Sequence, residues 1–163
     1  MADVDRYDRD ESEHERLDRN LLELLNELRV ALPGVQVLFA FLLAVPFSQG
    51  FADTTDFHRA LFVVTLLCTA VSAVLLIAPS AFHRIHFRQH NKEELLLTSN
   101  RLSIAGLVFL AAAMVCAIVL ITDVIYGSVA TICVGAGAAA LFGWFWAGLP
   151  LLRRRLADKQ GQS

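Results

Sequence analysis

The sequence predicts an all-α membrane protein, with four transmembrane helices preceded by a cytoplasmic amphipathic helix. Two observations carry that expectation. Residues 30–47, 60–78, 102–122 and 124–152 form four apolar runs free of acidic and basic side chains. Each is close to or above the roughly 18 to 20 residues that cross about 30 Å of hydrocarbon as a helix. Of 163 residues 56% are hydrophobic and 18% are charged, so the charges are gathered into the ends and connections. The expected order is an acidic disordered N-terminus (1–12), an amphipathic cytoplasmic helix (13–29), a four-helix transmembrane domain (30–152) and a basic cytoplasmic tail (153–163).

The formal net charge of −2 averages an acidic N-terminal arm with basic segments beside the spans, and it gives no nucleic-acid footprint. The arm is too acidic for the n-region of a signal peptide, so the first span is expected to stay in the mature chain. Orientation follows from Lys and Arg. Arg6, Arg9, Arg16, Arg19 and Arg29 precede the first span, Arg84, Arg88, Lys92 and Arg101 lie around the central connection, and Arg153, Arg154, Arg155 and Lys159 fill the tail. Only Arg59 lies elsewhere. The positive-inside rule then puts both termini and the central connection in the cytoplasm, with 48–56 and the turn around 123–127 outside. Three spans would not satisfy this bias. Trp144 and Trp146 before the basic tail and Tyr126 at the outer turn are placed as interfacial aromatics, although the two tryptophans also suit ordinary lipid-facing bulk.

Within the arm, Leu17, Leu21, Leu24 and Leu28 recur at helical spacing, widened by Leu22 and Leu25. A helix lying on an anionic leaflet favours Lys and Arg on its polar face, whereas Asp18, Glu23 and Glu27 occupy this one. The stripe is therefore expected to meet protein, either in a short seam between subunits or docked on the chain's own cytoplasmic face. Pro33 and Gly34 follow, and proline disturbs the preceding turn, so a bend is expected where the arm enters the membrane. Broken helices line substrate sites in transporters; a lone Pro-Gly near an interface is also a simple hinge.

The stretch from Leu25, Asn26, Glu27, Leu28, Arg29 and Val30 through Gly34 to Leu43, with Pro46 and Phe47, resembles an uncharacterised family of small actinobacterial membrane proteins. So do Leu76, Ile77, Ala78 and Pro79 with His83, Arg84, Phe87 and Arg88, and then Asn100, Arg101, Leu102 and Gly106. The resemblance spans nearly all of the membrane region and implies a multi-pass protein of a bacterial cytoplasmic membrane. Some members of that family carry a sodium:proton antiporter label. Cation and proton exchange normally uses an intramembrane Asp or Glu, and this chain has none at mid-depth. Its nearest carboxylate, Asp123, is expected at the outer end of the third span. A single-subunit antiporter is disfavoured, while an oligomeric pore lined by hydroxyls or carbonyls stays open.

Polar and small residues inside the spans read as helix packing: Thr65, Thr69 and Ser72 on the second, Ser103 and Gly106 on the third, and Ser128, Thr131, Gly135, Ala139 and Gly143 on the fourth. Gln36, the one amide in a span, suits a bond to another helix or to its symmetry mate. Cys68, Cys116 and Cys133 lie in spans, are odd in number and form no CxxC, so neither a disulfide nor a zinc site is indicated. His83, His86 and His90 share a helix face if the helix continues past Pro79, at a spacing suited to a divalent metal or a pH-sensitive cluster. Arg84, Arg88 and Lys92 oppose a cation there. No nucleophile triad, phosphate loop or paired carboxylate appears, and no cofactor is called for. The expected role is that of a non-catalytic component for interaction or assembly, embedded in the bilayer and oligomeric through the arm and the spans. The rival is an oligomeric ion or proton channel or transporter.

Overall fold

The structure is a computed structural model, and it describes residues 13–85 and 92–148. Four helices follow in order: α1 (Glu13–Ala44), α2 (Asp56–Ile85), α3 (Lys92–Tyr126) and α4 (Ser128–Gly143). Between α1 and α2 lie two 3-10 turns, Val45–Phe47 and Gln49–Phe51, and a π-helical turn, Trp144–Gly148, follows α4. No strand occurs among the described residues. Four stretches are long and apolar enough to cross a membrane: Leu22–Phe47, Asp56–Phe82, Leu96–Tyr126 and Ser128–Trp146. At about 1.5 Å per residue a helix needs only some 20 residues for the hydrocarbon, so α3, with 35 residues, projects beyond it.

The leucine stripe and the first span are one continuous helix, with Pro33 inside α1. A proline in a helix interior costs about 3 kcal/mol, so packing has to hold the register across it. Leu28 and Val35, one on each side of Pro33, are both buried and meet Leu76 of α2, flanked by Leu24, Leu32, Ala73, Leu107 and Leu110. Leu24 and Leu28 of the stripe therefore pack on the chain's own α2 and α3.

Heptad spacing organises the whole seam. The buried positions are Leu28, Val35 and Leu42 on α1; Phe62, Thr65, Thr69, Ser72, Leu76 and Pro79 on α2; and Ser99, Ser103, Gly106 and Ala113 on α3. Steps of seven, or of three and four, keep a face turned towards a partner as in coiled coils. Packing is densest between α2 and α3, and α1 lies against both. Gly106 explains the close approach, because a Cβ there would stand 2.8 Å from Leu76. Among the described helices α4 rests on α3 alone. A single residue joins the two: Gly127, at φ +78°, a backbone region that side-chain-bearing residues rarely adopt.

Candidate functional site

The polar groups that tie separate elements together gather where α2 begins and α3 ends. Asp123 lies in the last turn of α3, not in a free turn beyond it. A carboxylate at a helix C-terminus faces the negative end of the helix dipole and is unfavourable unless compensated. Two neighbours compensate it. His58, in the first turn of α2, places Nε2 2.9 Å from Asp123 Oδ2, and the two side chains are only 15% and 20% exposed. Thr131 of α4 donates its hydroxyl towards Asp123 Oδ1 at 3.1 Å, sharing the proton with Gly127 O at 2.8 Å.

The imidazole is held from behind. Its Nδ1 is 2.9 Å from Thr55 Oγ1, which also accepts the His58 backbone N–H at 3.3 Å. Thr55 is thus the side-chain cap of α2. With Nε2–H donated to the carboxylate, Nδ1 accepts the Thr55 hydroxyl proton, and every polar atom of the array has a partner. The order hydroxyl, imidazole, carboxylate is that of a nucleophile relay, but here the hydroxyl is engaged as a helix cap. What the arrangement does is join the 52–55 connection, α2, α3 and α4 at one end of the bundle.

Beside His58 lies a cavity of about 340 Å³, lined mostly by apolar side chains including Val45, Phe51, Leu120, Ile121 and Val124. Phe51 stacks edge-on against the buried Phe62 with ring centroids 5.2 Å apart, which fixes the 3-10 turn over α2.

Thr65, Thr69 and Ser72 are fully buried along α2. Thr65 and Thr69 donate to carbonyls of their own helix, Leu61 O and Thr65 O, whereas Ser72 crosses to Gly106 O of α3 at 2.8 Å. Ser103 bonds back to Ser99 O, and the buried Ser99 hydroxyl has no partner. On α4, Thr131 and Gly135 are buried towards α3, and a Cβ on Gly135 would stand 2.7 Å from Val119. Each step of four residues turns about 40° around an α-helix, so Ala139 and Gly143 have rotated off that face and are exposed. Gln36 is exposed as well. The three cysteines are free thiols.

His83 is in the last turn of α2, while His86 and His90 lie outside the described residues, as does the basic 153–163 tail. Leu17 and Leu21 fall within α1. Sequence reasoning missed His58. It lies four residues before Phe62, on the heptad face that runs down α2 to Pro79, and for His58 that register was the available signal. Asp123 lies off the Ser99–Ala113 face of α3, four residues beyond Val119 on the side turned to α4.

Fold and site together define an all-helical multi-pass membrane protein with a polar clamp at one end of its bundle. The chain matches the family model described as Family of unknown function (DUF6328) over residues 10–150, and it belongs to that family. No curated protein and no solved structure matches it.

Proposed function

We propose that this chain is a non-catalytic membrane component that works through association of its helices with other copies of itself, rather than by passing ions through its own bundle. The observation that carries this reading is the one-sided attachment of α4. That helix rests on α3 alone, and its other side presents Ala136, Ala139, Ala140 and Gly143 as an exposed small-residue face. Small residues let transmembrane helices approach closely, where dispersion contacts and weak hydrogen bonds drive association.

The middle of the α1–α2–α3 seam supports the same choice. Its hydroxyls are mostly turned back onto helix carbonyls, and Gly106 is pressed on Leu76, so the seam is packed rather than hydrated. Because Leu24 and Leu28 lie within the chain's own core, α4 is a better association surface than the arm. Both termini and the 86–91 connection are assigned to the cytoplasm on the Lys and Arg bias, which puts the His58–Asp123 end outside.

The test is the mass of the detergent-solubilised particle for the natural chain and for Ala139→Leu combined with Gly143→Leu. Both positions are open within one chain, so the added bulk is tolerated there and obstructs only a second helix. A multimer reduced to a monomer by the pair supports the reading. A natural chain that is already monomeric overturns it.

A further inference from the structure

We propose that His58 and Asp123 form a proton-sensitive latch that sets how α4 sits against the α2–α3 pair. The carboxylate has two roles at once: Oδ2 holds the imidazole of α2, and Oδ1 receives the hydroxyl of Thr131 on α4. Since α4 touches α3 but not α2, this carboxylate is the polar relay between the first turn of α2 and α4. The joint it governs is a single residue, Gly127, whose positive φ leaves the angle between α3 and α4 to be set by contacts on either side.

The surroundings isolate the pair. On α2, Asp56 and Arg59 face each other at 3.8 Å and are largely exposed, and Arg59 also donates to Ala52 O. Asp53 in the connection and Tyr126 on α3 are exposed, and neither 3-10 turn carries an ionisable side chain. On α4 the one ionisable group is Cys133, which is exposed. Asp123 is therefore the carboxylate that answers a change of charge on His58.

Imidazole is the side chain that ordinarily changes charge between about pH 5 and 8. With Asp123 ionised the bond is charge-assisted in either state of the imidazole, and protonation of His58 adds the attraction of two opposite charges across 2.9 Å. Thr55 then accepts from Nδ1–H through its oxygen, so the cap survives in both states. Loss of the proton leaves a neutral imidazole on a carboxylate, and the hold on Oδ2 weakens. The latch is tight at mildly acidic pH and relaxes as pH rises. On the outward orientation proposed above, it reads the pH outside the cell and varies the pose of the α4 face. The latch itself acts within one chain and does not need the association reading.

The experiment places spin labels at Asp53→Cys and Val129→Cys in a chain with Cys68, Cys116 and Cys133 changed to Ala. The labelled chain is reconstituted in lipid nanodiscs at high dilution with unlabelled chain, so that only pairs within one molecule are read. Electron–electron resonance distances are recorded at about pH 5.5 and about pH 8.5, on either side of ordinary imidazole titration. The latch gives a narrow distribution at the lower pH that shifts and broadens reversibly at the higher, and the same pH response is lost in His58→Gln and in Asp123→Asn. A distribution that does not change with pH when His58 is present overturns the proposal, whatever the variants do. So does a pH response that persists in His58→Gln.

Discussion

Replacing Gly106 by alanine tests the tightest contact in the bundle. The new Cβ would stand 2.8 Å from Leu76 Cγ and Cδ2 and 3.2 Å from Leu75 Cβ. Carbon atoms pack best at about 3.5 to 4.0 Å, so one partner has to move by about 0.7 Å. Leu76 has nowhere easy to go, being fully buried against Leu28 and Val35. Inserting a methyl into a filled core costs about 1 to 3 kcal/mol, and exchanging glycine for alanine inside a helix returns about 0.5 to 1 kcal/mol. The net expectation is a loss of up to about 2 kcal/mol, or a factor of up to about 30 in the ratio of folded to unfolded protein. Gly34→Ala is the control, because nothing lies within 4 Å of its Cβ position. Unfolding in mixed micelles by increasing dodecyl sulfate, followed by circular dichroism, should rank Gly106→Ala below the natural chain and Gly34→Ala at or above it. If Gly106→Ala proves as stable as Gly34→Ala, the close α2–α3 approach is wrong.

Three further outcomes follow from the same contacts. Ser72→Ala removes the hydroxyl that bonds Gly106 O across the seam and should cost about 1 kcal/mol in the same titration; no change would mean that the bond contributes nothing. Thr131→Val strips one donor from Asp123 and should likewise lower stability by about 1 kcal/mol, while leaving particle mass unchanged, since it alters no surface of α4 turned away from α3. Purified protein in liposomes should not exchange sodium for protons, because the carboxylates of the candidate spans lie towards their ends, Asp123 in the last turn of α3; robust exchange abolished by Asp123→Asn would return the chain to the transporter class.

The fold class was legible because crossing a bilayer demands long uncharged runs, and four of them stand out. The continuity of the leucine stripe with the first span was not, because Pro33 looks like a boundary when only local propensity is weighed. Burial of Leu28 and Val35 on either side of it carries the helix through. The hydroxyls of α2 were legible as one face by spacing, but whether each bonds its own helix or a neighbour depends on the distance between helices, which sequence does not encode locally. Gly135, Ala139 and Gly143 look equivalent at four-residue spacing, yet the 40° drift per step separates the residue against α3 from the two turned outward. His58 escaped notice for a related reason. Its partner is 65 residues away, and a lone histidine at a helix start carries no motif of its own.

Cross-linking in native membranes tests the central claim most directly. Cysteine is placed at Ala139 on the outward face of α4, or at Val30, 82% exposed on α1, each in a chain whose three natural cysteines are replaced by alanine. Under mild oxidation the account predicts a disulfide-linked dimer from Ala139→Cys and little from Val30→Cys. Equal cross-linking at the two positions, or none at Ala139→Cys, would contradict an association surface on α4.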